Sequence, residues 1–429
     1  MDQLLIEGGV PLRGEVTVSG AKNAVLPILA ATLLADGPCV LEGVPALRDI
    51  DTMIRVLREL GMEVERGEDG TVHTEVVDLS RCRAPYELVK TMRASICVLG
   101  PLLGRRKRAE VSFPGGCQIG PRPIDLHIAG LDALGADLRV EGGYILADGR
   151  RMEGRELYLG GAYGPTVTGT ANVLMAAVLT PGTTVVEHAA CEPEIGDLAR
   201  FLVKMGAKIE GIGGPRLEIT GVAGLRGTRH RVISDRIEAG TFMTAAAITH
   251  GDVLIRGVDT SHLTAAIAAL QRMGVTVERV PGQGVRVRAM ERIHPTDLVT
   301  LPHPGFPTDL QAQFMATLAV ADGNSFVTEK IFPERFIHVA ELTRMRAKIR
   351  KEGPTAMVQG VDYLSGAPVM ASDLRASAAL VVAGLAAHGT TTVDRVYHID
   401  RGYEKIEDKL QRLGARVRRV SDRAPIDVD

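Results

Sequence analysis

The chain has no tryptophan, and aromatic residues of all kinds make up only 3% of it. Proteins that bind single-stranded nucleic acid stack bases on aromatic platforms, so that class is disfavoured. Charge of one sign is lacking too. The formal net charge is −2 at pH 7, which gives no electrostatic footing for non-specific nucleic-acid binding. Cysteine is sparse and odd in number, with five residues (Cys39, Cys82, Cys97, Cys117, Cys191) and no Cys-x-x-Cys pair. Neither a disulfide framework nor a zinc site is suggested. Long hydrophobic runs are also missing. Stretches such as Ala24 to Leu34 are too short to span a bilayer. The start, Met1 to Glu7, shows no basic segment followed by an apolar one, so no signal peptide is read and a cytoplasmic location is expected. No Walker A sequence or dinucleotide-type glycine fingerprint follows the first strand, and ordinary ATP or NAD use is not indicated.

What is present is a repeat. At 429 residues the chain calls for two or more domains. A short strand opening recurs six times: Leu60-Gly61-Met62, Leu134-Gly135-Ala136, Met205-Gly206-Ala207, Met273-Gly274-Val275, Met345-Arg346-Ala347 and Leu413-Gly414-Ala415. The copies are spaced about 70 residues apart. Between them a small-residue helix ends at a glycine and a β-branched strand follows, at Gly37, Gly104, Gly182, Gly251, Gly323 and Gly389. Each glycine reads as a helix C-cap. A loop and an amphipathic helix come next, such as Asp51 to Leu60 with Met53, Ile54, Val56 and Leu57 on one face. The unit is therefore mixed β and α, and six units divide into two domains of three, with a boundary near Gly221 to Arg231.

The helix starts carry unusual charge for core helices. Lys22 and Asn23 open the first, Arg93 the second, Gly164 to Thr168 the third, Arg236 and Glu238 the fourth, Asp309 the fifth, and Asp373 with Arg375 the sixth. Helix N-termini suit phosphate and carboxylate. Taken singly, Asp309 and Asp373 read as N-caps, and Lys22 or Arg375 as a solvated charge. Repetition at equivalent places argues for a site. Lys22, Arg122, Arg335, Arg375 and Arg401 together would form a strongly cationic pocket for a polyanionic substrate.

One loop stands apart: Phe113-Pro114-Gly115-Gly116-Cys117-Gln118-Ile119-Gly120-Pro121-Arg122-Pro123-Ile124-Asp125-Leu126-His127. Its glycines suit a mobile loop. Arg122 and His127 lie close to Cys117 in sequence, and positive charge raises thiol reactivity.

These segments, with Ser19 to Asn23, Lys90 to Ser95, Phe306 to Gln313, Asp373 to Ser377 and His398 to Glu404, resemble the UDP-N-acetylglucosamine 1-carboxyvinyltransferases of the enolpyruvyl transferase family, in order along essentially the whole chain. The resemblance implies an α/β fold of two pseudo-symmetric domains, each of three βαβαββ units, in an inside-out α/β barrel. It places residues 22–232 in the first domain, which carries the Cys117 lid loop, and 1–21 plus 233–429 in the second. It implies transfer of enolpyruvyl from phosphoenolpyruvate to the 3′-hydroxyl of UDP-N-acetylglucosamine with release of phosphate, the first committed step of peptidoglycan synthesis. No metal or organic cofactor, nucleic acid or membrane partner is implied.

Residue by residue, the resemblance makes Cys117 the general acid to C3 of the donor, also able to form an adduct at C2, and Asp309 the candidate base. Lys22, Arg122 and Arg401 would hold phosphate. Arg335, Arg375 and Arg401 would surround the donor carboxylate. Asn23, Arg93, Asp309 and the Ile331 backbone would contact the amino sugar. Arg122, Pro123, Ile124, Asp125 and Leu126 would face uridine. Gly164 and Asp373 belong to the same substrate-binding set. The third repeat departs from the commoner pattern. It reads Gly160-Gly161-Ala162-Tyr163-Gly164-Pro165-Thr166, where many members have a Lys-Val-Ser-Val-Gly-Ala-Thr type run that contacts the diphosphate. Rival readings are a shikimate 3-phosphate enzyme, an enzyme for another nucleotide, and a regulatory paralogue that binds the sugar nucleotide without catalysis. The Cys loop counts against the first. Retention of Lys22, Cys117, Asp309, Arg375 and Arg401 counts against the last.

Overall fold

The structure, a computed structural model, describes residues 2–114 and 124–421. The chain forms two compact units. One runs from Gly20 to Ile233, and the other takes the segment up to Ser19 and everything from Ser234 on. Each unit holds three of the six four-stranded sheets found among the described residues.

The six sheets share a strand order. In each, a short edge strand runs parallel to the strand that follows a core helix, and two antiparallel strands complete the four, a hairpin in five sheets and two chain-distant strands in the remaining one. Parallel neighbours need a crossover, and a buried helix provides it directly in the second, third, fifth and sixth repeats. In the 20–233 unit the core helices are Lys22–Ala31, Leu99–Arg106 and Val167–Ala177, which pack on one another. In the other unit they are Arg236–Ile248, Gln311–Leu318 and Leu374–Ala386. Their sequences are apolar nearly all round, as a helix surrounded by protein requires. The second helix of the first repeat, Arg48–Glu59, is amphipathic, with Ile50, Met53, Ile54, Val56 and Leu57 buried.

Three repeats borrow a strand from elsewhere in their own unit. Arg229–Arg231 lies parallel to Cys39–Glu42 and leads the first repeat's sheet. Arg13–Thr17 lies parallel to Asp252–Arg256 and leads the fourth. Asp2–Glu7 sits between Thr390–Asp394 and Arg416–Ser421 and completes the sixth.

The repeat's Leu-Gly-Ala marker is a left-handed turn between helix and strand. Gly61, Gly135, Gly206, Gly274 and Gly414 all have φ between 79° and 112°, a region that costs glycine nothing. Arg346 holds the same conformation at φ 76°, and its guanidinium lies 3.9 Å from the centre of the Tyr363 ring.

The C-cap expectation fails at all six of the other glycines: the core helices end at Thr32, Lys107, Val178, Thr249, Ala319 and Ala387, and Gly37, Gly182, Gly323 and Gly389 are left-handed turn residues two to five positions further on. The Leu99–Arg106 helix runs through Gly104, and Lys107, at φ 56°, is the left-handed residue that ends it. Gly104 serves helix packing instead: a Cβ there would come within 3.1 Å of the Met175 carbonyl oxygen, and one on Gly100 within 2.2 Å of that of Asn172. At Gly251 the positive φ belongs to His250, and a Cβ on the glycine would meet the Leu12 carbonyl at 2.4 Å.

Candidate active site

In the discontinuous unit, the opening of the fifth core helix is the centre of a charged cluster. Thr308–Leu310 forms a single 3-10 turn leading into Gln311–Leu318. Asp309 does not cap it, contrary to the capping expectation. Pro307 occupies the N-cap position, and the Asp309 carboxylate accepts from two guanidiniums instead, Arg335 Nη1 to Oδ1 at 2.8 Å and Arg375 Nη2 to Oδ2 at 3.1 Å. Charge-assisted bonds of this kind outweigh a bond to a neutral backbone amide. Asp373 does cap its helix, accepting from the backbone N–H groups of Arg375 and Ala376 at 2.9 and 3.1 Å.

Both arginines are buried, with side chains 7% and 3% exposed, whereas Asp309 remains 26% exposed. Burial is the largest influence and works against each guanidinium's charge, but Asp309 acting with Asp373 and Glu329 around Arg335, and with Tyr403 and Asp235 around Arg375, more than offsets it, so both are pushed further towards the protonated form. Arg375 also lies 5.5 Å from the centre of the Tyr403 ring. Its Nε and Nη1 are buried and meet no acceptor among the described residues. The Tyr403 hydroxyl bonds Thr241 and Gln313 at 2.9 and 3.2 Å, and thereby fixes the chain two positions past the Val396–Arg401 turn. That turn carries half-buried Arg401 and is held from outside by Arg419, which donates to Asp400 at 2.7 Å.

Arg335 leaves the Asn324–Thr328 strand through a tight loop. The loop is built on Glu329, which is 0% exposed. One of its oxygens accepts from the backbone N–H groups of Ile331 and Phe332 at 2.9 and 3.0 Å and from the Thr300 hydroxyl at 2.6 Å. The other accepts from Thr308 at 2.9 Å. The Ile331 N–H is thus engaged within the protein, so any backbone contact to a ligand there falls to its carbonyl.

In the 20–233 unit, Lys22 is the first residue of its helix and is 7% exposed, with Nζ 3.1 Å from Asp49 Oδ2. Asn23 beside it is exposed, and Arg93, half-buried, opens the 3-10 turn Arg93–Val98. Ile124 is buried, while Asp125 and Leu126, in the first turn of Asp125–Ala133, are exposed and half-buried. His127 behind them is held by Asn172 at Nδ1 (2.8 Å) and Thr168 at Nε2 (3.0 Å). Gly160–Gly161 pairs with Gly164–Pro165 as a small ribbon, and a Cβ on Gly161 would touch Leu126 at 3.0 Å. Cys117, Arg122 and Pro123 lie outside the described residues.

A family profile described as EPSP synthase (3-phosphoshikimate 1-carboxyvinyltransferase) matches residues 6–410. The chain belongs to this family. Within it, the chain is 55% identical over 424 residues to a UDP-N-acetylglucosamine 1-carboxyvinyltransferase of Anaeromyxobacter dehalogenans (strain 2CP-C), covering 98% of this chain and 100% of that one. It is 52% identical to the protein of the same name from Methylacidiphilum infernorum, over 98% and 99% of the two chains. Among solved structures, the enolpyruvyl transferase NikO from Streptomyces tendae superposes with a TM-score of 0.87 at 24% identity, covering 98% of this chain and 99% of that one. An EPSP synthase from Acinetobacter baumannii superposes at 0.74 and 20% identity, over 98% and 100%. These two likenesses establish the shared carboxyvinyltransferase fold.

Sequence reasoning passed over Glu329 and Thr308, the residues beneath the charged cluster. A signal for Glu329 was present. Side chains alternate along a strand, and Ser325 and Val327 are buried while Asn324 and Phe326 are exposed. Glu329 continues the inward parity, where an acid is out of place unless something binds it.

Proposed function

We propose that this protein transfers the enolpyruvyl group of phosphoenolpyruvate to the 3′-hydroxyl of UDP-N-acetylglucosamine, releasing phosphate, as the first committed step of peptidoglycan synthesis. The observation that carries this reading is identity of 52–55% over nearly the whole chain to relatives named for that activity. The NikO enolpyruvyl transferase and the EPSP synthase share only 24% and 20%.

The chemistry has two stages. In the addition, C3 of the donor gains a proton and the acceptor oxygen bonds to C2 as its own proton leaves. In the elimination, C3 loses a proton and the C2–O bond to phosphate breaks, restoring the double bond on the new ether. Cys117 supplies the proton to C3, and Asp309 receives the hydroxyl proton. The carboxylate and phosphate both need fixed positive charge that requires no reorganisation during reaction. Lys22, Arg122 and Arg401 serve the phosphate, and Arg375, with two buried donors that meet no acceptor among the described residues, serves the carboxylate. Arg335 donates to both Asp309 and Thr308, so its first task is to orient the base. Asn23, Arg93 and the Ile331 carbonyl bind the amino sugar, Asp373 shapes the start of the Arg375 helix beside the acceptor, and the 122–126 segment with Gly164 takes the uridine diphosphate.

The test is phosphate release from phosphoenolpyruvate with UDP-N-acetylglucosamine, UDP-glucose, UMP or shikimate 3-phosphate as acceptor. Release with the first alone is expected. Release with shikimate 3-phosphate instead would overturn the acceptor assignment, and tight sugar-nucleotide binding with no release would make the protein a regulator.

A further inference from the structure

Glu329 is a buried carboxylate to which the reaction gives no part. No lysine or arginine bonds it among the described residues. A charge in such a place is tolerated only if hydrogen bonds replace its water. Four donors do so directly, and a fifth acts at one remove, because the Lys330 N–H donates to Thr300 Oγ1 at 2.9 Å and Thr300 donates onward to Glu329. Three consecutive amides, from 330 to 332, therefore converge on one side chain.

The other oxygen faces the charged cluster. An ionised carboxylate accepts and never donates, so the Thr308 hydroxyl must give its proton to Glu329. Its lone pairs are then left for Arg335 Nη1, which donates to it at 3.0 Å and to Asp309 Oδ1 at 2.8 Å. The two hydrogens of that one nitrogen have separate destinations. The direction of every bond from Glu329 to Asp309 follows from Glu329 being an anion, and with it the rotation of the Arg335 guanidinium.

We propose that Glu329 is a positioning residue for the acceptor side of the reaction, acting through Thr308 and Arg335 to hold the Asp309 carboxylate. The proposal rests on the reading of Asp309 as the base that meets the acceptor hydroxyl. Small displacements of such a group cost rate steeply. Glu329→Gln keeps the shape and an oxygen for the turn amides, but presents an N–H₂ to Thr308 and reverses the bond. Thr308→Val cuts the same link and leaves the turn amides bonded to Glu329. Thr308→Ser restores it.

The experiment compares these variants with the parent chain by thermal unfolding, by phosphate-release kinetics with each substrate varied, and by calorimetric binding of UDP-N-acetylglucosamine. Glu329→Gln and Thr308→Val are expected to lower kcat/KM for the sugar nucleotide about tenfold or more, with KM for phosphoenolpyruvate moving less than about twofold, and Thr308→Ser to recover to within about twofold. Wild-type kcat/KM in folded Thr308→Val, or a Thr308→Ser variant as impaired as the valine one, would overturn the proposal. Should Glu329→Gln fail to fold, Thr308→Val alone decides. If the parent chain releases no phosphate, the catalytic reading falls by itself. The positioning role then stands on a tenfold loss of sugar-nucleotide affinity in Thr308→Val and falls on an unchanged affinity or on no binding by the parent.

Discussion

Arg375 and Asp309 join the openings of two buried helices, with Nη2 and Oδ2 3.1 Å apart across 66 positions of sequence. An arginine at a helix N-terminus faces the positive end of the helix dipole. Asp309 offsets that disadvantage for Arg375 and receives Arg335 at its second oxygen. The cost of gathering cations here is thus met within the cluster.

Asp309→Asn is expected to lower phosphate release by about 10²–10⁴-fold, the range for losing a positioned base. It also leaves two buried guanidiniums short of a counter-charge, which should cost on the order of 2–3 kcal/mol of stability. Steady-state kinetics and urea unfolding of the purified variant test both. Near-normal turnover would remove Asp309 from the mechanism.

Cys117→Ser should abolish or sharply lower turnover and should prevent labelling by an epoxide that mimics phosphoenolpyruvate, read by mass spectrometry of the intact chain. A serine hydroxyl is a far weaker acid than a thiol in a cationic setting. Full activity in the serine variant would rule out the general-acid role.

Lys22→Met removes the ammonium proposed to hold phosphate. We expect kcat/KM for phosphoenolpyruvate to fall by about a hundredfold, with sugar-nucleotide binding changed far less. Asp49, 4% exposed, then loses the Lys22 ammonium. Adding Asp49→Asn should recover stability but not activity, because the two effects have separate causes. Recovery of activity in the double variant would show that Lys22 matters only as a structural partner.

His338 gives the fold a pH dependence. Burial is the main cause holding its imidazole neutral, with the Arg335 charge adding to it and Asp373 opposing, and its pKa is down at about 4 from 6.5. In the unfolded chain the ring takes a proton near pH 6.5, and the folded protein refuses it until about pH 4. The stabilisation is complete above pH 6.5 and drains away as pH falls towards 4, by about 3 kcal/mol in total. His338→Leu should flatten that slope in urea titrations from pH 7 to 4. An unchanged slope would place the acid sensitivity elsewhere.

Much of this architecture is written in local chemistry. The Leu-Gly-Ala markers were legible because a left-handed turn all but requires glycine, and Arg346 shows the exception, an arginine stacked on Tyr363. Gly104 misled for the same reason: close helix approach and helix termination select the same residue. Asp309 looked like a cap because its partners, Arg335 and Arg375, are brought to it only by tertiary folding. The borrowed strands Asp2–Glu7, Arg13–Thr17 and Arg229–Arg231 were beyond local reading, since nothing in a strand's own sequence names a neighbour hundreds of positions away.

The borrowed Asp2–Glu7 strand imposes a schedule on biosynthesis. It is translated before residues 20–233, and both of its neighbours, Thr390–Asp394 and Arg416–Ser421, are translated after them. The 20–233 unit contains every strand its own sheets use, so it can fold on the ribosome as a unit. Leu4 and Ile6, both 0% exposed in the finished protein, meanwhile wait for both neighbouring strands to be made. The growing chain carries an unpaired apolar strand throughout the synthesis of the 20–233 unit, which makes that segment the natural place for a chaperone to hold.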